Sequence, residues 1–382
     1  MAIPLGWMQL KHQKVRFAVA LSGIAFAVIL ILMQLGFQAA LFDSAVRYQE
    51  QLDYDIALFS KESSFIANPR PFSIRRLYQA RAVEGVASVS PLYLGIASWK
   101  NPWNHEVRNT FALGVRASTP VLNAPGVSEN LARVRTRDAV LFDTRSRPEY
   151  GPVAEGVARD GAVTVEINSR TVDVVGLFEV GTSFGIDAAV LTSDDNFLRL
   201  FSKRRRNMID AGLIKLDPAA DLDRVRDAIA ALVPDDVLVL TRAGWIDRET
   251  AYWNTTTPIG YVFAFGVVMG FVVGAIIVYQ ILFADVSDHL AEYATLKAMG
   301  YSNRFVSGVV IQQAVILAVL GFVPGLLISI WLYQNAGEAT QLPVMMTPER
   351  GVLALGLTVL MCTLSALIAV RKVRALDPAD IF

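Results

Sequence analysis

Four long stretches without a charged residue constrain this 382-residue chain more than any other feature. Crossing a hydrocarbon core of about 30 Å takes roughly 20 apolar residues in a helix, since the backbone must satisfy its own hydrogen bonds there. The first stretch runs from Phe17 to about Gln38, and the second lies within the charge-free run Thr250–Ala284. The third runs from Phe305 to Tyr333 and the fourth from Gly351 to Val370. Charged residues make up only 18% of the chain and hydrophobic residues 53%, where a soluble domain carries about 25% charged. The chain reads as a membrane protein with four spans. Lys11, Lys14 and Arg16 precede the first span as they would a secretory signal. Its apolar core is longer than the roughly 7–15 residues of a signal, so it reads as a retained anchor.

Positive charge near the span ends sets orientation. Lys11, Lys14 and Arg16 flank the first span, and Arg371, Lys372 and Arg374 lie beyond the last. Both ends are therefore expected in the cytoplasm. The resulting division is a cytoplasmic N-terminal amphipathic segment (1–16), a first span (17–40), a periplasmic domain (43–251) and a second span with its stalk (252–284). A cytoplasmic loop (285–304), a third span (305–333), a periplasmic loop (334–350), a fourth span (351–370) and a cytoplasmic tail (371–382) complete it. The basic run Lys203–Arg206 lies in the long inserted segment, and long domains translocate largely regardless of charge.

Alternating apolar patterns make the inserted segment a mixed α/β domain. Asp55–Phe59, Val86–Trp99 and Phe111–Arg116 read as strands and Ser73–Ala82 as a short helix. Gly161–Val175 reads as a hairpin turned at Asn168 and Ser169, and 211–240 as strand, helix, strand. The mirrored units at its two ends suggest two lobes, separated by a β-rich insertion at about 119–203.

Catalytic chemistry finds little footing. Lys+Arg 35 balances Asp+Glu 35, which removes any global basic signature for nucleic acid. The single cysteine, Cys362, excludes an internal disulfide, and three scattered histidines give no metal centre. Neither G-x-x-x-x-G-K-[ST] nor H-E-x-x-H occurs, so no phosphate-cradling loop or zinc helix is written in the chain. Gly181-Thr-Ser-Phe-Gly185 matches the G-x-S-x-G nucleophile elbow. The next segment, IDAAVLT, reads as a strand instead of the required helix, so a glycine turn is the better reading. No catalytic residue, metal ligand or bound cofactor is assigned to this chain.

Polar and small residues in the spans carry more. Gly266, Gly270 and Gly274 recur every four residues, a stripe that lets another helix approach closely, either within one subunit or across a dimer seam. Gln34, Gln38, Gln312 and Gln313 can hydrogen-bond between helices. No ionisable residue falls inside the four stretches, which disfavours a proton relay. Pro324 predicts a kink or break in the third span.

The loop between the second and third spans reads DVSDHLAEYATLKAMGYSNR from Asp285 to Arg304. Leu290, Tyr293, Leu296 and Met299 share one helical face, with Glu292 and Lys297 off it and Gly300 placed as a C-cap. A short amphipathic helix of this kind suits a partner's groove, or else lies in the membrane interface.

Glu292–Arg304 (EYATLKAMGYSNR) resembles the coupling segment of MacB/FtsX-type ABC transporter permeases. The tail Arg374–Ile381 (RALDPADI) resembles that family's closing segment, with Ile381 at its Leu position. The order of one span, a large domain and three spans is also the family's, and the N-terminal stretch 5–45 is similar to the DevC subfamily. The resemblance implies a non-catalytic permease subunit working as a homodimer, with ATP and Mg²⁺ held by a DevA-like ABC ATPase. It further implies a DevB-like periplasmic membrane-fusion adaptor and a TolC-like outer-membrane channel in a tripartite exporter of an amphiphile, glycolipid-like or other. Leu290, Glu292, Tyr293, Leu296, Lys297, Met299 and Gly300 would dock on the ATPase. The alternatives are an FtsX-like scaffold activating a cell-wall hydrolase and a lipoprotein-releasing permease.

Overall fold

The computed structural model describes residues 14–374, without the side chains of Lys297, Val306, Lys372, Val373 and Arg374. Most of the N-terminal segment 1–16 and the tail motif from Ala375 to Ile381 therefore lie outside the described residues, as does the side chain of Lys297. The chain forms two units, 41–257 with 341–343 and the remainder.

The first helix, α1 (Lys14–Ala45), is followed by the short α2 (Arg47–Gln51). The inserted domain continues through β1 (Ile56–Ser60), β2 (Phe72–Ser73), α3 (Arg75–Ala80), β3 (Val86–Lys100) and β4 (Val107–Val115). Next come α4 (Val127–Asn130), β5 (Ala139–Asp143), α5 (Val153–Asp160), β6 (Val163–Ile167) and β7 (Arg170–Phe178). It ends with β8 (Ala189–Ser193), α6 (Asp194–Leu200), β9 (Met208–Ile209), β10 (Ala211–Leu216), α7 (Leu222–Leu232), β11 (Val237–Thr241) and α8 (Arg242–Ala251).

Nine of these strands form one sheet in the order β11-β1-β10-β3-β4-β8-β5-β7-β6. β6 also pairs back onto β3, through Trp99 with Ile167 and Lys100 with Glu166. The six strands from β3 to β6 thus close on themselves, while β10, β1 and β11 extend the sheet beyond β3. This corrects the expected pair of separate lobes. β3 is 15 residues long, long enough to serve both the closed part and the extension, so the 119–203 insertion is continuous with the rest of the sheet. The terminal strand–helix units do meet, with Leu77 of α3 and Val225 and Ile229 of α7 in one buried cluster.

Strand alternation supplies two cores. In β1, Ile56 and Leu58 join one cluster and Ala57 and Phe59 the other. Both faces are covered, which is why β1, β5 and β8 are buried at every position and begin as apolar runs instead of alternating. The predicted hairpin is β6–β7, and Asn168 and Ser169 have φ of 50° and 61°, the paired left-handed residues of a two-residue turn.

Leaving the domain, a π-helical turn covers Tyr252–Thr256. The second unit contains α9 (Pro258–Asp288), α10 (Leu290–Ala298), α11 (Asn303–Thr340) and α12 (Pro348–Arg374). Among the described residues, α1, α9, α11 and α12 are the four helices long and apolar enough to cross a membrane. α1, α11 and α12 outrun the charge-free stretches at both ends and α9 at its C-terminal end, because hydropathy marks the apolar middle of a helix and polar turns continue it. Pro324 does not break α11, which runs through it. Gly321 and Gly325 beside it admit Ile24 and Val28 of α1 so closely that an added Cβ would lie 2.7–2.8 Å from their side chains.

Candidate functional site

Asp285 and its neighbours begin the candidate coupling segment as part of α9, and only His289 separates α9 from α10. The main chain stays helical in pattern across the gap: His289 N–H donates to Asp285 O (3.2 Å) and Tyr293 N–H to His289 O (3.1 Å). α10 is therefore an extension of α9 instead of a detached helix. Polar contacts pin this junction. Gln313 Nε2 of α11 donates to Asp285 Oδ2 at 3.1 Å, and Arg16 of α1 pairs with Asp288. The glutamine does hydrogen-bond between helices as its sequence position suggested. Asp285, only 13% exposed at its side chain, is an ionisable group that hydropathy placed just outside the span.

The apolar stripe on α10 does not face outward as a whole. Tyr293 is 1% exposed and belongs to the core of this unit's own helices, Leu296 packs against the same core, and Ala294 is fully buried. Leu290 is half-buried, Glu292 exposed and Met299 63% exposed. Tyr293, expected to meet a partner, is thus a packing residue here, since a strict i, i+3 row drifts by about 60° per step around a helix of 3.6 residues per turn and leaves Tyr293 and Met299 on different sides. Gly300 has φ +93°, and Tyr301 N–H reaches back to Leu296 O at 3.1 Å, the bond of a helix ended by a left-handed glycine.

The glycine stripe of α9 is filled from within the chain. A Cβ added to Gly266 would meet the Gln34 side chain at 2.4 Å, one on Gly270 would meet Ile31 at 3.2 Å, and one on Gly274 would meet Met361 and Ala27 at 2.3 and 2.6 Å. Each glycine of the stripe therefore lies under a side chain of α1 or α12 of the same chain.

In the inserted domain, the Gly181–Gly185 motif is a tight turn between β7 and β8. Ser183 and Ile186 exchange main-chain hydrogen bonds at 2.8 and 3.2 Å, Ser183 is 4% exposed, and a strand comes next. The geometry of a nucleophile elbow is not built. Asp143, at the end of β5, accepts Val180 N–H (3.2 Å) and Gly181 N–H (2.7 Å) and also Arg145 N–H (3.0 Å). Burial pushes its carboxyl above the usual range, with these donors opposing the shift. Sequence reading passed over Asp143, whose signal is a lone carboxylate closing an otherwise apolar strand. Among the described residues, no group of three His, Cys, Asp or Glu side chains is placed to hold a metal ion.

Residues 17–232 match the MacB-like periplasmic core domain and residues 263–378 the FtsX-like permease C-terminal domain. Uncharacterized ABC transporter permeases of Mycobacterium bovis and Mycobacterium tuberculosis are each 22% identical over 381 residues, covering 98% of this chain and 97% of theirs. Two solved structures are also similar. The extracellular domain of the noncanonic ABC-type transporter YknZ from Gram-positive bacteria matches 49% of this chain and 99% of that one, with 14% identity and a TM-score of 0.34. The periplasmic region of MacB from Actinobacillus actinomycetemcomitans matches 51% and 92%, with 10% identity and a TM-score of 0.35. With one family domain matched over more than half of its length and the other over α9 to α12, the chain belongs to the MacB/FtsX-like family of ABC transporter permeases.

Proposed function

We propose that this chain is the permease subunit of an ATP-driven exporter of the DevC type, working as a homodimer in an inner membrane with both termini cytoplasmic. A separate ABC ATPase binds ATP and Mg²⁺ and docks on α10. Its closure moves the spans, and the inserted domain passes the stroke to a periplasmic adaptor and an outer-membrane channel, expelling an amphiphilic substrate.

The observation that carries this reading is the build of α10. One face is anchored in the helical unit by Tyr293 and Ala294, while Glu292, Thr295 and Met299 are exposed on another. With one residue between it and α9, a push on the exposed face acts on a long helix that leads, through the π-helical turn, to the inserted domain. A lever of this form suits a motor that is not itself in the membrane.

The test is a tagged pull-down from mildly solubilised membranes, with bound proteins identified by mass spectrometry. Recovery of an ABC ATPase with a membrane-fusion adaptor is the expected result. An ATPase recovered with a peptidoglycan hydrolase and no adaptor would replace the exporter with a signalling scaffold. Absence of any ATPase would end the docking assignment.

A further inference from the structure

The chain passes between the two units at 40/41, 257/258, 340/341 and 343/344. The chain therefore enters and leaves the inserted domain through three short pieces of backbone: the end of α1, the π-helical turn before α9, and residues 341–343 between α11 and α12. One turn bonds to all three. Phe184 N–H donates to Ser44 Oγ in the last turn of α1 at 3.2 Å. The Phe184 ring meets the Trp253 ring edge-on, with centroids 5.3 Å apart and planes at 84°. Thr182 Oγ1 donates to Gln341 O at 3.0 Å.

The same turn is fastened to the closed part of the sheet. Asp143 of β5 holds the N–H groups of Val180 and Gly181, while on the other side Arg47 of α2 donates to Thr182 O at 2.8 Å. Gly181, at φ +104° with the Arg47 guanidinium 2.4 Å from where a Cβ would sit, occupies a conformation that side chains rarely adopt. The opposite side is built to yield. Tyr252–Thr256 is π-helical, a rare form that occurs mostly as single turns and frequently at functional sites, and Gln341 itself has φ +57°.

We infer that the 180–186 turn is the element through which movement of the spans reaches the closed sheet, and that Thr182 and Phe184 are its positioning residues. This inference rests on the exporter reading above and goes beyond it. It assigns the Gly-Thr-Ser-Phe-Gly motif a role in transmission. Thr182 reads the connection between the last two spans, Phe184 reads the stalk and the first span, and the Asp143 hydrogen bonds hand the displacement to β5 and β7. A turn serving packing alone would stabilise the domain equally whatever the nucleotide state.

The experiment uses the full chain with its co-purified ATPase in lipid nanodiscs, read by amide hydrogen exchange with and without trapping by ATP and vanadate. Trapping is expected to change exchange at 252–257, at 180–186 and in the strands between 139 and 193. In Thr182→Val and Phe184→Ala, the ATPase stays bound and the change at 252–257 persists, while the response of 139–193 is lost. Phe184→Leu, which restores apolar contact with Trp253, recovers it. If 139–193 responds in both disruptive variants as in the wild type, the transmission role is overturned and the exporter reading stands. A wild-type complex in which trapping changes no exchange at 252–257 overturns both.

Discussion

Glu249 accepts the main-chain N–H of Ile66 through both carboxylate oxygens, at 3.3 and 3.1 Å, and its own side chain is 1% exposed. Trp253 Nε1 donates to it at 3.4 Å, and Arg248 and Gln49 lie beside it. Burial is the largest influence and raises its pKa from 4.5 to about 7 against these stabilising partners. The folded state thus holds a proton that the unfolded chain gives up above pH 4.5. Its contribution to stability is complete below 4.5 and is lost as pH rises through about 7. The shift corresponds to on the order of 3 kcal/mol. Thermal unfolding of the full chain should show the inserted-domain transition weakening between pH 5 and pH 8, and Glu249→Gln should flatten that dependence. An unchanged slope in the variant would place the titration elsewhere.

Tyr293 and Met299 sit six residues apart on and beyond α10 with opposite surroundings, 1% and 63% exposed. Truncating a fully buried aromatic ring costs about 3 kcal/mol or more, so Tyr293→Ala should lower the melting temperature of the isolated permease. Met299→Ala and Glu292→Ala should leave that temperature within about a degree, since exposed substitutions are nearly neutral. These two should instead weaken binding of the ATPase. Titrating ATPase onto the immobilised permease and comparing melting curves separates the two classes.

The sequence alone locates α1, α9, α11 and α12 because insertion into a bilayer depends on local composition, residue by residue. What covers a face is not local. The row Leu290, Tyr293, Leu296, Met299 turns about 60° around the helix at each step, and its middle belongs to the protein's own core while its end does not. The stripe at Gly266, Gly270 and Gly274 was visible. The equally spaced Gly321 and Gly325, which admit α1 against α11, were masked by Pro324, whose tendency to break a helix dominates that stretch. In the inserted domain, the hairpin at Asn168 and Ser169 was legible from its turn chemistry. The parallel pairing of β4 with β8 and the closure of β6 onto β3 were not, since both join segments far apart in the chain. Arg204 shows the same limit. Inside a run of four basic residues it looks solvated, but it pairs with Asp210, which is fully buried and also accepts Leu94 N–H at 2.8 Å.

Gly266, Gly270 and Gly274 give the third prediction. Because Gln34, Ile31, Ala27 and Met361 already fill the space over them, Gly270→Leu or Gly274→Leu must separate α1 or α12 from α9. Overpacking of this kind costs roughly 1–3 kcal/mol per site. The expected outcome is a lower melting temperature and altered intramolecular cross-linking between cysteines placed in α1 and α9. A variant that keeps both but loses the proposed homodimer would instead assign the stripe to a seam between subunits.

Asp143→Asn tests the anchor of the 180–186 turn. Asp143 presents oxygens to three main-chain N–H groups, Oδ1 to Arg145 and Val180 and Oδ2 to Gly181. An asparagine keeps one oxygen and replaces the other with an NH₂, so two of the donors can be satisfied and the third faces another donor. Leaving a buried N–H unpaired costs about 1–3 kcal/mol. The cost should fall on the turn alone, because β5 keeps its pairing with β7 and β8 through main-chain bonds. Amide exchange of Val180 and Gly181 should accelerate while that of Leu141 and Phe142 stays slow. Uniform acceleration across β5 would mean that Asp143 supports the sheet instead of the turn.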